Sequence, residues 1–329
     1  MSRLQLLITQ YRETEEIIKP MLDSIESQID IDLKNDIEVI IGNDGSDVKL
    51  SKEFLEKYSF PIQYHLFEHS RLAGCRKRLY HISTAEYIMF CDGDDRFVDN
   101  LGIRLILNEM NDPFDYLRCD FYRDWPNEDG SFSYKIHSND DIHVHGLVLR
   151  REFLEKNQIE WHEELYENQD CPYVALTMIL AKKQRSLHVP VYLWKYYPDS
   201  VSVKDGDMRM PKQFAHYIDT FDFLVTDLKD RGYGEYAKHY VIKCLYLTHS
   251  QLKRRVWYRP ESEQHRIDVY KRIAAFYRKY QLLLVYAKDA MFEKAIDLEK
   301  KRLTNISNPV SLPPIEEWLQ SILVLFPDS

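Results

Sequence analysis

Leu4 to Thr9 is a short apolar run with polar flanks, and it predicts a buried strand. From Glu13 to Gln28 the period changes. Ile17, Ile18, Met21, Leu22 and Ile25 recur at helical spacing, with acidic residues at the start, where the helix dipole favours them. Pro20 inside that pattern argues against a straight helix. Ile37 to Ile41 predicts a second strand, closed by the turn-forming run Gly42-Asn43-Asp44-Gly45-Ser46. A helix over Leu50–Tyr58 and a strand over Ile62–Phe67 follow, then a loop entering a helix over Arg71–Thr84. Tyr87 to Cys91 reads as a strand that runs straight into Asp92-Gly93-Asp94-Asp95. Strands alternating with helices predict βαβ units: an α/β, Rossmann-like, mostly parallel sheet flanked by helices. In such sheets ligands bind beyond the carboxyl ends of the strands, where Thr9, Asp44 and Asp92 all stand.

The second hundred residues are mixed. Tyr116–His137 predicts two extended segments around a turn at Asn127-Glu128-Asp129-Gly130, and Ile142–Leu149 a further strand. Arg150–Asn157 and Asp170–Lys182 read as helices, and Val189–Tyr197 as a strand ended by Pro198 and a polar loop through Gly206. Beyond Pro211 the pattern is helical, over Phe214–Lys229, Tyr236–Arg255 and Glu263–Leu283. We therefore expect an α/β domain over 1–208, with a first half over about 1–98 and a second over about 99–208. An all-helical region over 209–307 and a tail over 308–329 complete it, the tail carrying a short amphipathic piece at Trp318–Phe326. There is no internal repeat.

Composition narrows the function. With 329 residues and a net charge of −9, the chain is not an electrostatic binder of nucleic acid. The charge is uneven: about −14 over 1–240, about +8 over 241–310 and about −3 in the tail. The basic helices are expected to meet an anionic polymer, the periphery of a membrane or a second protomer. Five widely spaced cysteines with no Cys-x-x-Cys pair argue against a disulfide framework or zinc site, and for a reducing compartment. The first apolar run is too short for a signal peptide or membrane span, which makes the expected location cytoplasmic, at most peripheral to the inner face of a membrane. The 23 tyrosines suit either amphipathic helices or surfaces that bind rings and sugars.

Several residues carry candidate chemistry. Carboxylates clustered at a strand end, as in Asp92-Gly93-Asp94-Asp95, form a hard-oxygen site for Mg2+ or Mn2+, which would neutralise charge on a diphosphate. Asp44 at its turn is placed to accept a base N–H, Tyr11 to pack against a flat base, and Arg76 to hold a diphosphate. Each element alone is also an ordinary turn or surface residue.

Taken together, Thr9-Gln-Tyr11, Asn43-Asp44-Gly-Ser46, Ala73-Gly-Cys-Arg76 and Asp92-Gly-Asp94-Asp95 resemble, in order and spacing, the inverting family 2 glycosyltransferases with the GT-A fold. His145–Arg151 resembles that family's opening of the acceptor half. Glu167-Asn-Gln-Asp170 resembles the site of its catalytic pair. Val191–Tyr197 with Asp199-Ser-Val-Ser202 resembles its closing strand and mobile loop. The match covers about residues 4–204. It implies a UDP-sugar donor, a Mn2+ or Mg2+ cofactor, and a glycan, surface-polymer or glycoprotein acceptor of the kind met in bacterial cell-wall polymer, capsule or surface-glycoprotein synthesis. It implies Thr9, Tyr11 and Asp44 at the base, Arg76 at the diphosphate and Asp92 at the ribose and metal. Asp94 would be the chief metal ligand, Asp95 its helper, and Asp170 the general base of a single inverting displacement. Three positions depart from the family pattern: Asn43 for Asp, Lys77 for Asn, and Gln169 where Glu precedes the catalytic Asp.

Secondary expectations fall on His143 and His145, two apart and so on one face of a strand, near acceptor or metal. Trp161, His162, Tyr166 and Glu167 are expected near the acceptor, and Lys195, Ser202 and Lys204 around a loop over the diphosphate. The competing reading is a degenerate sugar-nucleotide-binding scaffold, with Gln169 in its favour. A sugar nucleotidyltransferase would need its Gly-rich loop after the first strand. A haloacid-dehalogenase phosphatase would need its Asp pair near the start, and a P-loop NTPase a Gly-x-x-x-x-Gly-Lys run that is missing.

Overall fold

Strand β1 (Leu4–Gln10) is buried at every residue, so it needs neighbours on both edges and cover on both faces. Strands β2 (Ile37–Asn43) and β4 (Tyr87–Asp92) supply the edges, each parallel to β1, and β3 (Ile62–Leu66) extends the sheet parallel to β2. In this computed structural model, residues 2–198, 205–285, 306 and 308–327 are described, and the chain divides into two units, Met1–Tyr197 and Pro198–Ser329.

In the first unit, α1 (Glu15–Glu26) buries Ile18, Met21, Leu22 and Ile25, the stripe its period predicts, and Pro20 is accommodated within the helix. The helix expected over Leu50–Tyr58 is a single turn, α2 (Lys52–Leu55), with Ser51 capping Phe54 N–H. Helix α3 (Arg71–Ile82) buries Ala73, Cys75, Leu79 and Tyr80, and also the charged Arg76.

Beyond β4 the sheet becomes mixed. A short β5 (Arg96–Phe97) and helix α4 (Gly102–Glu109) precede β6 (Tyr116–Pro126) and β7 (Phe132–His137). Then come β8 (Leu147–Arg150), α5 (Arg151–Asn157), α6 (Asp170–Leu180) and β9 (Gln184–Trp194). The strand order is β3-β2-β1-β4-β8-β6-β9-β5, with β7 paired to β6 outside that path. β8 runs antiparallel to both β4 and β6, β9 parallel to β6, and β5 antiparallel to β9.

Two strand expectations need correction. The strand predicted over Ile142–Leu149 survives only as Leu147–Arg150. Asp140 turns the chain by accepting the Ile142 and His143 amides, and Gly146 is left-handed at φ +70, where a Cβ would lie 2.7 Å from the Cys119 carbonyl. The strand predicted from Val189 begins at Gln184, because pairing with β6 extends it through polar residues.

The second unit is helical in its described residues: α7 (Arg209–Asp230), α8 (Gly234–Gln251), α9 (Glu263–Leu284) and α10 (Ile315–Leu325). Gly232, left-handed at φ +84, makes the tight link from α7 to α8. Phe214, Phe221, Leu224, Tyr240, Leu245, Trp257, Ile273 and Trp318 are buried in this unit. Among the described residues no helix is long and apolar enough to cross a membrane.

Candidate active site

Thr9 pairs with Gly42 on one side and Asp92 on the other, so β1 holds the middle of the site. The carboxyl ends of β2, β1 and β4 lie side by side and point the same way. Adjacent strands are about 4.8 Å apart, which sets the ends of β2 and β4 on the order of 10 Å from one another. Asp44 and Asp92 therefore flank Thr9 on one edge of the sheet at a span suited to a nucleoside diphosphate.

Asp44 is nearly buried, and its carboxylate already has partners. Oδ1 accepts from Ser70 N–H (2.8 Å) and Ser70 Oγ (3.0 Å), while His69 Nδ1 lies 2.9 Å from Oδ2. Tyr11, 41% exposed, stacks on the His69 ring with centroids 4.9 Å apart. A flat face thus stands beside Asp44. Gly45 is left-handed (φ +72), and a Cβ there would sit 2.5 Å from His69 N, so glycine is what lets the two turns meet.

The Asp92–Asp95 turn is pinned to β1 and β9. Gly93 N–H donates to Thr9 O (3.0 Å), and a Cβ on Gly93 would come within 2.8 Å of that oxygen. Thr9 Oγ1 donates to Asp92 Oδ1 (3.1 Å). The Tyr192 hydroxyl accepts from Asp92 N–H (2.9 Å) and donates to Asp95 Oδ2 (2.8 Å), and Lys195 N–H donates to Asp95 Oδ1 (2.8 Å). Asp95 is fully buried and spends both oxygens fastening β9 to the turn. Burial and the Asp94 and Asp92 charges push its carboxyl well above the usual range.

Asp94 is raised to about 7, by burial first and then by the Asp92 charge. Glu13 is likewise raised to about 7, by burial and more weakly by Asp94 and Asp92, although its carboxylate accepts the Tyr11 amide. Burial opposes ionisation of Asp92 too, but the Arg76 charge, His145 and bonds from Arg76 and Thr9 outweigh it, and its carboxyl falls below the usual range. Asp92, Asp94 and Glu13 thus concentrate acidic groups in one place. Ligand atoms of Asp92, Asp95 and His145 also lie within 4.8 Å of one another. Asp92, Asp94 and Glu13 make an oxygen-rich, charge-excess set that suits a hard divalent cation, whereas Asp95, expected as a helper ligand, has both oxygens engaged by Tyr192 and Lys195.

Arg76 joins the end of β4 to the second half of the unit. Its guanidinium is 1% exposed and lies over the Trp161 ring, 4.8 Å from the centroid. Nη2 donates to Asp92 Oδ1 (2.8 Å) and Nη1 to Asp170 Oδ1 (2.6 Å). A buried cation is tolerable only when paired, and two carboxylates pair this one. Asp170 is the first residue of α6, where the helix dipole favours a negative charge, and its Oδ2 accepts Val144 N–H (3.2 Å). Arg12, Arg71 and Asn168, all near these residues in sequence, adopt left-handed backbone (φ 72, 64 and 57).

The remaining expectations sort by burial. Trp161 is 1% exposed, stacked on Tyr173 at 4.1 Å, so it braces Arg76 from beneath instead of offering a face to an acceptor. His145 is also buried, stacked on Tyr192, its Nδ1 3.9 Å from Asp95, and burial lowers its pKa to about 4. His143 stacks parallel to His145 at 6.1 Å, although neither lies on a strand. Glu167 is buried, Tyr166 is exposed beneath Arg71, and Lys195 Nζ lies 3.3 Å from the Tyr197 hydroxyl. Ser202 and Lys204 lie outside the described residues. Sequence reasoning missed Glu13, His69, Ser70 and Tyr192. The first three follow the ends of β1 and β3, a position that marks them for attention, whereas only tertiary contact marks Tyr192.

Residues 6–171, half of the chain, match the profile of Glycosyl transferase family 2. No curated protein sequence matches. Among solved structures, S. aureus TarS aligns over 93% of this chain with a TM-score of 0.63 at 13% identity. The alignment spans 54% of that protein, so this chain covers about half of its length. TarS 1–349 in complex with UDP-GlcNAc aligns over 93% of both chains, with a TM-score of 0.62 at 15% identity. The mannosyltransferase PcManGT from Pyrobaculum calidifontis, in complex with GDP-Man and Mn2+, aligns over 98% of this chain and 85% of its own, with a TM-score of 0.50 at 12% identity. At these identities the likeness is one of fold.

Proposed function

We propose that this chain, which belongs to glycosyl transferase family 2 and has its GT-A type fold, transfers a sugar from a UDP-sugar to an acceptor hydroxyl in one inverting displacement. The observation that carries the reading is the Arg76 bridge. One buried guanidinium contacts Asp92, at the strand end where the nucleotide diphosphate would lie, and Asp170, at the start of α6. Donor edge and base therefore stand within the reach of a single side chain.

In this reading Tyr11 and Asp44 hold the uracil with Thr9 beside them, and Asp92 approaches the ribose. Arg76 counters charge near the diphosphate. Asp170, oriented by the Val144 amide, takes the proton of the acceptor hydroxyl. That oxygen bonds to the anomeric carbon from the face opposite the nucleotide, and the carbon–oxygen bond to the diphosphate breaks with its electron pair on the leaving group. Asp94 and Asp92 are the residues that would hold a Mn2+ or Mg2+ ion, with Glu13 beside them. Such an ion, when bound, supplies positive charge to the leaving diphosphate. PcManGT binding GDP-Man with Mn2+ and TarS binding UDP-GlcNAc support a nucleotide-sugar donor on this fold. We assign the basic stretch over 241–310 to an anionic polymer acceptor.

A thermal-shift panel of UDP-, GDP- and CDP-sugars with Mn2+ tests the donor assignment. A UDP-sugar should raise Tm in a Mn2+-dependent manner and be consumed when a polymer acceptor is present. Stabilisation by GDP- or CDP-sugars alone would overturn the choice of base. Binding with neither hydrolysis nor transfer would favour a scaffold.

A further inference from the structure

We infer that His137, Asp140 and His143 form a second cation site, for a divalent transition ion of the zinc class, distinct from the carboxylate site at the end of β4. His137 Nδ1 lies 3.1 Å and His143 Nδ1 3.0 Å from the same oxygen, Asp140 Oδ2. Ligand atoms of the three residues fall within 4.8 Å of one another. In a tetrahedral site with metal–ligand bonds near 2.0–2.1 Å, ligand atoms are about 3.3 Å apart, so small shifts would seat an ion. Two imidazole nitrogens and one carboxylate oxygen suit zinc, cobalt or nickel, unlike the oxygen-dominated set around Asp94.

The three ligands are held in place beforehand. Asp140 is fixed by its Oδ1, which accepts the backbone amides of Ile142 (3.0 Å) and His143 (2.6 Å). His143 Nδ1 lies between the two oxygens, 3.1 Å from Oδ1 and 3.0 Å from Oδ2, and His137 Nδ1 meets Oδ2 alone. The His137 ring stacks on Phe121 at 4.6 Å, and the His143 ring packs against Trp194 at 5.1 Å. The side chains of His137, Asp140 and His143 are 15%, 10% and 28% exposed, open enough for an ion to enter and for water to complete its shell. The same loop leads into catalysis. Arg118 Nη1 holds the His143 and His145 carbonyls (2.9 and 2.8 Å), and Val144 between them donates to Asp170. An ion bound by the triad would fix the segment that orients Asp170.

The test uses the full-length chain, stripped of metal and free of donor, so its outcome does not depend on the transferase reading. Titration with Co2+, followed by visible absorption, should show the strong bands of four-coordinate cobalt saturating at one equivalent and displaced by Zn2+, apart from any weakly absorbing Co2+ held by the carboxylates at the end of β4. The bands should persist in Asp94→Asn. His143→Ala and His137→Gln should each weaken Co2+ binding at least tenfold while keeping the wild-type circular dichroism. Absence of the bands in the wild type would overturn the assignment, whether or not the variants fold, and would leave the triad as a hydrogen-bonded latch. Full binding in both histidine variants, or loss only in Asp94→Asn, would overturn it equally.

Discussion

The Arg76 guanidinium reaches Asp170 Oδ1 at 2.6 Å, a contact between residues 94 positions apart. Its other terminal nitrogen holds Asp92. The pairing explains how α3, a helix otherwise packed through apolar residues, carries a fully buried charge. Both carboxylates lose their counter-charge together if Arg76 goes.

Arg76→Ala should therefore destabilise the protein by about 3 kcal/mol or more, the cost of leaving buried charges uncompensated, and abolish transfer. Arg76→Lys keeps the charge but lacks the planar fork that spans two carboxylates. It should fold with a smaller loss of stability and still transfer at least tenfold more slowly. Chemical denaturation and initial rates measure both. A Lys variant with wild-type rates would show that the bridge is not needed for chemistry.

The raised carboxyls predict a pH dependence. Asp94 and Glu13 both sit near 7 in the folded protein and near 4 when unfolded. Between those values the folded state binds more protons, so their contribution to stability is full below about pH 4 and is lost as pH rises towards 7. In Asp94→Asn nothing titrates at that position. The stability difference between variant and wild type, measured without metal, should therefore grow in the variant's favour from pH 5 to 8. Mn2+ should reverse the wild-type loss at the upper end, because it binds the deprotonated carboxylates. A difference that stays flat with pH would remove Asp94 from the set of perturbed acids.

Much of the fold was legible because it is written in local periodicity. The buried runs that become β1, β2 and β4 are continuous and apolar, and each ends in polar or turn residues, so a mostly parallel sheet follows, though not the order of its strands. The α/β class and the helical C-terminal region were legible for the same reason. Helix α4 was not, since its stripe of Ile103, Ile106 and Leu107 spans barely two turns. Nor was the full length of β9, whose polar first half is held by pairing with β6. At the site, the strand-end positions of Thr9, Asp44 and Asp92 could be read from the chain. The partners of Asp44, the burial of Trp161 under Arg76 and the Asp140 turn could not, because each depends on contacts between distant segments or on side-chain direction.

Gly93 offers a steric test of the acidic turn. Any side chain there would press a Cβ to 2.8 Å from the Thr9 carbonyl, which itself accepts the Gly93 amide. Backbone on both sides leaves little room to yield. Gly93→Ala should cost about 1–3 kcal/mol and displace Asp92 and Asp94 from β1, weakening donor binding more than global stability. Calorimetry of donor with Mn2+, set beside the denaturation midpoint, separates the two effects. Unchanged donor affinity would mean that the turn's position is immaterial.

The proposed mechanism is tested most directly at Asp170. Asp170→Asn is close to isosteric; its one carbonyl oxygen can keep the bond from Arg76, while its NH2, a donor, replaces the oxygen that accepts Val144 N–H, so the helix start should survive with that one bond lost. The Arg76 charge would keep only Asp92 as its ionic partner, which predicts a modest drop in Tm. Donor binding lies on the other side of that guanidinium and should change by less than about threefold. Transfer should fall by about 10²–10⁴, the usual contribution of a positioned base. Because the variant cannot take the acceptor proton, raising the pH should restore part of the rate through the small fraction of ionised hydroxyl. Wild-type transfer by Asp170→Asn would end the assignment of this residue as base and turn the search towards the buried Glu167.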